Sequence, residues 1–168
     1  PCDVIVDDIT YITEPFLLDG VVAQTVDQVA AQGVTYFSSA GNFGKQSYES
    51  VFTGVTNTSV IATGQIHRYC STAADIYQSV NLKPGSYTIV LQWSDEFSSL
   101  GSATGVQTDM DLYLLGANGF TLFGFNRSNL FGDPFEVCPF TVEQETNAKI
   151  MVVRAAGTSN VRFKYIIF

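Results

Sequence analysis

Asn42 closes the segment Ser38-Ser39-Ala40-Gly41-Asn42, directly after the β-prone run Val34-Thr35-Tyr36-Phe37. In open α/β folds, ligands sit beyond the carboxyl ends of parallel strands. An Asn amide placed there can donate a hydrogen bond to charge developing on a substrate oxygen. The plainer reading is that Gly41-Asn42 is a turn that ends the strand. Asp109 and Asp111 lie two apart in Asp109-Met110-Asp111-Leu112-Tyr113-Leu114. A strand puts both carboxylates on one face. With Asp133 and Glu136 they offer the hard oxygen atoms that calcium takes. The spacing of a D-x-D-x-D-G loop is missing, and a solvated acidic face is the other reading. Calcium at Asp109 and Asp111 is the one cofactor the sequence leaves open.

The remaining reactive side chains point elsewhere. His67, the single His, stands in Ile66-His67-Arg68-Tyr69 with no sequence-evident partner, which predicts a structural or solvated role. Ser159 ends Gly157-Thr158-Ser159, but the residues after it alternate like a strand. A serine nucleophile needs an adjacent base, so a tight hairpin turn is expected here instead. Three cysteines make an odd number, with no C-x-x-C. Cys2 opens a strand and is expected to be buried. Cys70 and Cys138 either form a disulfide or remain thiols. Gly41-Asn42-Phe43-Gly44-Lys45-Gln46 fails as a phosphate loop, since Ser39 and Gln46 stand where Gly and Ser or Thr are required. Tyr87, Trp93 and Tyr113 are either a sugar-stacking platform or core. Asn57-Thr58-Ser59 and Asn126-Arg127-Ser128 are glycosylation sequons.

Charge narrows the partners. The 168 residues carry eight Lys plus Arg against sixteen Asp plus Glu, for a net charge of −8. That balance excludes nucleic acid, which needs clustered cations, and an anionic membrane surface. No apolar run reaches the roughly 18 to 20 residues of a membrane span. With 46% hydrophobic and 14% charged residues, a sizeable core is expected. The chain opens at Pro1 and closes on the strand-like Lys164-Tyr165-Ile166-Ile167-Phe168, so both ends are expected to be cut from something longer.

The elements that position these residues change type near residue 45. Val4-Ile5-Val6 is an apolar run expected of a strand buried on both faces. Asp19 is the expected N-cap of a helix carrying Val22, Val26, Val29 and Ala30, and Gly33 its C-cap. A second strand follows, giving a βαβ unit. Its open edges predict either self-association or docking on the rest of the chain. Residues 45–72 read as a connection, with one strand at 59–62. From 73 the pattern is β, with strands at 75–80, 86–93, 109–115, 120–125, 135–142, 148–154 and 161–168. Turns are marked at Lys83-Pro84-Gly85, Asn118-Gly119 and Ala156-Gly157-Thr158. The expectation is a mixed fold: a partial α/β segment (1–44), a connection (45–72) and a mainly antiparallel β-sandwich or jelly roll (73–168).

Residues 2–44, with Cys2-Asp3-Val4-Ile5-Val6, the helix and Ser39-Ala40-Gly41-Asn42, resemble the middle of a subtilisin-like serine protease (subtilase) catalytic domain. The resemblance implies that Asn42 is the oxyanion-hole donor. It implies that Ser38, Ser39, Ala40 and Gly41 border the primary specificity pocket, and that Ile9, Thr10 and Tyr11 lie at the substrate-pairing edge. Asp8-Ile9-Thr10 stands where the family shows Ser-Leu-Gly. The family's D-[ST]-G, H-G-T and G-T-S-x-A-x-P motifs are not in this chain. The implied protein is a fragment of a secreted serine endopeptidase, or of an inactive relative, with a polypeptide as the partner of the intact parent. Asp109 to Leu114, the Asn-Gly hairpin and the closing strands are similar to prepeptidase C-terminal modules. That likeness implies stabilisation, surface binding and sometimes calcium binding. The alternative is a non-catalytic adhesion or glycan-binding β-sandwich.

Overall fold

A computed structural model describes residues 2–71 and 75–168. Pro1 and the boundary drawn at 72/73 lie outside the described residues. Two short parallel strands, β1 (Val4–Asp7) and β2 (Thr35–Ser38), are joined through helix α1 (Val21–Ala31). The remaining strands are β3 (Ser47–Val51), β4 (Gly54–Val55), β5 (Gln65–His67), β6 (Gln78–Leu82), β7 (Gly85–Trp93), β8 (Asp109–Gly116), β9 (Thr121–Phe125), β10 (Phe135–Val142), β11 (Thr146–Ala156) and β12 (Arg162–Ile167). They form two antiparallel sheets. One runs β10-β7-β12-β3. The other runs β4-β5-β11-β8-β9, with β6 also paired to β11.

The two sheets face each other as a β-sandwich because alternate residues of each strand are apolar. Met110, Leu112 and Leu114 of β8 meet Ile89, Leu91 and Trp93 of β7 in one buried cluster. Cys138 and Phe140 of β10 and Phe163 and Tyr165 of β12 join it. Full burial of each large apolar side chain contributes roughly 1.5 to 3 kcal/mol. A smaller cluster of Ile66, Ile76, Leu115, Met151 and Val153 covers the outer face of the larger sheet. Asn118-Gly119 makes the β8–β9 hairpin, with Gly119 at φ 84°.

Several expectations are corrected. Residues 45–72 are not a plain connection: β3 pairs with β12, and β5 pairs with β11. Their short strands show too little alternation to be read locally, and the long partners select them. Residues 59–62 form a turn and loop rather than a strand. Ala156-Gly157-Thr158 is not a tight hairpin, because β11 and β12 belong to different sheets and the segment crosses between them. Val4 and Val6 are exposed rather than covered, since β1 pairs only with β2. Cys2 is exposed and Cys138 buried in the core. Burial pushes the Cys138 thiol up to about 12. Asp109 and Asp111 share one face as expected but do not form a solvated face; both are buried.

Candidate functional site

The loop after β1 is where the βαβ unit meets the sandwich. Asp19 does not cap α1; the N-cap is Gly20, with no side-chain bond of its own. Glu14 caps from outside, its Oε1 accepting from the backbone N–H of Val22 (2.9 Å) and Ala23 (3.3 Å). A carboxylate at a helix start satisfies orphan donors and the macrodipole together. Gly20 is required by this arrangement: a Cβ there would lie 2.5 Å from both Glu14 Oε1 and Pro15 Cδ.

Gln92 of β7 then holds the loop. Its Nε2 donates to Glu14 O (2.9 Å), and its Oε1 accepts from Phe16 N–H (2.7 Å). The Gln92 side chain is 1% exposed, so both bonds are shielded from water. Lys164 Nζ lies 5.8 Å from the centre of the Phe16 ring, and Phe43 packs edge-on against Phe168 at 4.8 Å. These contacts dock the βαβ unit on the sandwich, while β1 and β2 pair only with each other.

Between the two parts lies a cleft of about 590 Å³. Ile9, Thr10, Tyr11, Ser38, Ser39, Ala40 and Gly41 all line it. The carboxyl ends of parallel β1 and β2 bring these two sequence-distant groups together. Asp7, at the end of β1, accepts hydrogen bonds from the hydroxyls of Tyr36 and Ser38. Asn42 is exposed and is not one of the lining residues, although Gly41 before it and Phe43 after it are. The opposite wall went unseen in the sequence: Lys164 and Ile166 of β12, and Phe168. Their alternation placed them on one face of a strand. It carried no sign of what that face would meet.

His67 is buried, not solvated. Nδ1 accepts from Thr53 N–H (3.2 Å), and Nε2 lies 3.0 Å from the Tyr48 hydroxyl. Burial, with Arg68 adding a smaller push, lowers it to about 4. Both ring nitrogens are therefore occupied by structural bonds. Ser159 sits in the crossover before β12, where its carbonyl accepts from Arg154 (2.6 Å).

A second concavity, of about 460 Å³, lies on the outer face of the larger sheet. Asp111, Tyr113, Tyr77 and Asn126 line it, roofed by residues 59–63. Tyr113 donates to Asp111 Oδ2 (3.2 Å). Burial, and then the neighbouring Asp109, raise Asp111 to about 6. Glu136 is raised to about 7, chiefly by burial. Asp111 Oδ1 and Glu136 Oε1 have no hydrogen-bond partner. Asp109 Oδ1 accepts from Asn129 N–H (2.9 Å). Among the described residues, no three His, Cys, Asp or Glu side chains converge as a metal needs. Asp109 and Asp111, the calcium candidates of the sequence, lie close enough to Glu136 that both carboxylates raise it further.

No family model and no curated protein matches the sequence. Among solved structures, the chain is similar to the β-glucosidase DesR from Streptomyces venezuelae, at a TM-score of 0.42 and 10% identity. That match covers 98% of this chain but only 20% of the β-glucosidase. A family 35 carbohydrate binding module from an environmental isolate matches at a TM-score of 0.29 and 13% identity, over 73% of this chain and 95% of the module. Likenesses this distant carry no argument about activity.

Proposed function

We propose that this chain is the substrate-binding, oxyanion-side part of a secreted subtilisin-like serine endopeptidase, or of an inactive relative, joined to an accessory β-sandwich. One observation carries the reading. The seven residues assigned to substrate contact, from two segments of the sequence, line a single cleft. β1 is paired on one side only, so an extended peptide can lie along the chain near Ile9–Tyr11. One of its side chains enters the space bordered by Ser38 to Gly41. Asn42 then donates to the oxyanion formed when a serine of the intact peptidase attacks the peptide carbonyl. The chain's one His is buried with both ring nitrogens bonded, so it does not serve such a serine as base.

NMR titration tests the reading. An unstructured blocked peptide mixture is expected to shift the resonances of Ile9–Tyr11 and Ser38–Gly41. A fluorophosphonate is expected to leave Ser159 unlabelled. Labelling of Ser159, or a cleft indifferent to peptides, overturns the proposal. In a longer form carrying the triad, Asn42→Ala is expected to lower kcat about 10²- to 10³-fold with KM little changed.

The outer-face concavity favours a second reading, a glycan-binding or adhesion module. Tyr77 and Tyr113 beside Asp111 and Asn126 offer rings and hydrogen-bond partners to a sugar. Soluble oligosaccharides that shift these residues, with no peptide response in the cleft, would establish it instead.

A further inference from the structure

We propose that Lys164 makes the cleft selective for peptides carrying an acidic side chain, so that the accessory sandwich sets substrate specificity. The inference rests on the peptide-binding reading above. Glu14 and Lys164 are the two charged residues lining the cleft. Glu14 is committed, with one carboxylate oxygen capping α1 and its carbonyl held by Gln92. Lys164 is not. Strand pairing sets it opposite Glu49 of β3 and Gln92 of β7. Glu49 is engaged by the guanidinium of Arg162, and Gln92 by the loop backbone. Among the described residues, Lys164 makes no ion pair; its recorded contact is with the face of Phe16.

An ammonium in a half-enclosed cleft, without a carboxylate of its own, attracts an anion that reaches it. Opposite charges at contact are attracted more strongly where protein replaces part of the water. The net charge of −8 opposes acidic ligands at long range. At about 0.15 M salt that repulsion is screened beyond roughly 8 Å, whereas a contact pair is not. The lining at the carboxyl ends of β1 and β2, Ile9 to Tyr11 and Ser38 to Gly41, carries no charge. The other charge, on Glu14, faces the N–H groups that open α1, which offset it.

The experiment uses the 168-residue chain and three fluorescein-labelled hexapeptides. These are acetylated and amidated, identical except for a central Glu, Gln or Lys, and read by fluorescence polarisation at 150 mM salt. The Glu peptide is expected to bind 5- to 10-fold more tightly than the Gln peptide. Lys164→Met is expected to bring that ratio to about one. Lys164→Glu is expected to reverse the order in favour of the Lys peptide. A Glu preference that survives Lys164→Met, or no preference in the parent chain, overturns the inference while the peptide-binding reading stands. Failure of all three peptides to bind the folded chain overturns both. An otherwise identical Gln peptide with a free carboxyl end separates a terminal carboxylate from an acidic side chain. If it alone binds tightly, side-chain selectivity is overturned.

Discussion

At the scale of single residues, His67 shows how burial reverses a reactive side chain's role. Its imidazole stays neutral down to about pH 4 in the fold, whereas an unfolded His protonates near 6.5. The unfolded chain therefore takes up the proton first. The stability His67 contributes is present above about pH 6.5 and is lost as the pH falls towards 4. Asp111 and Glu136 act with the opposite sign. Their carboxyls are raised to about 6 and 7, so their stability is present below about pH 4 and is lost as the pH rises through these values. Two raised carboxyls outweigh one lowered imidazole, so the parent chain's stability is expected to fall as the pH rises from about 4.5 towards 6. Urea unfolding of Glu136→Gln between pH 4 and 7 is expected to give stability nearly independent of pH, because Asp111 and His67 then oppose each other. In His67→Asn, stability is expected to fall more steeply with pH than in the parent. Identical pH profiles in parent and variants would contradict these assignments. Thiol reactivity gives a further check: Cys2 is expected to react with a thiol reagent in the folded chain, and Cys138 only on unfolding.

At the scale of elements, the weakest join is that between the βαβ unit and the sandwich. α1 buries no residue completely, and β1 and β2 leave Val4, Val6 and Phe37 exposed. Its position depends on Glu14 at the start of α1 and on Gln92 below the loop. Removing Gln92 leaves Glu14 O and Phe16 N–H without their partners, at a cost of about 1 to 3 kcal/mol for each group that stays buried. Gln92→Ala is expected to speed hydrogen exchange of residues 14–31 by tenfold or more, with the sandwich strands changing less. Gly20→Ala is expected to do the same through Pro15 and Glu14, whose atoms occupy the space its Cβ needs. Uniform acceleration over the whole chain would show that the two parts unfold as one.

For the whole molecule, the sandwich is both scaffold and wall. Its interior is the main apolar cluster, while the outer face of β12 closes the cleft. A peptide bound there touches both parts of the chain, so binding is expected to raise the unfolding temperature of the βαβ unit more than that of the sandwich. Calorimetry with saturating Glu hexapeptide measures this, and an equal shift in both parts would argue that they are one cooperative unit.

Local chemistry was enough to read the parallel pair around a helix and the strands 86–93, 109–115 and 135–142. Each holds an unbroken apolar run or an alternation that one backbone geometry satisfies. Asn118-Gly119 was legible because φ above zero at a two-residue turn demands such residues. The residues at the carboxyl ends of β1 and β2 were named as substrate contacts through the family resemblance, and the fold gathers them into one cleft. Tertiary structure alone decided the rest. β3 and β5 are strands because β12 and β11 offer them edges. The crossover at 156–158 was invisible, since a turn sequence does not say whether the next strand stays in the same sheet. Asp109, Asp111 and His67 are buried because both sheet faces are covered, which no local pattern states. The opposite wall of the cleft, with Lys164, exists because Gln92 lies where the loop after β1 arrives. That contact joins residues more than seventy positions apart, and only the packed molecule brings them together.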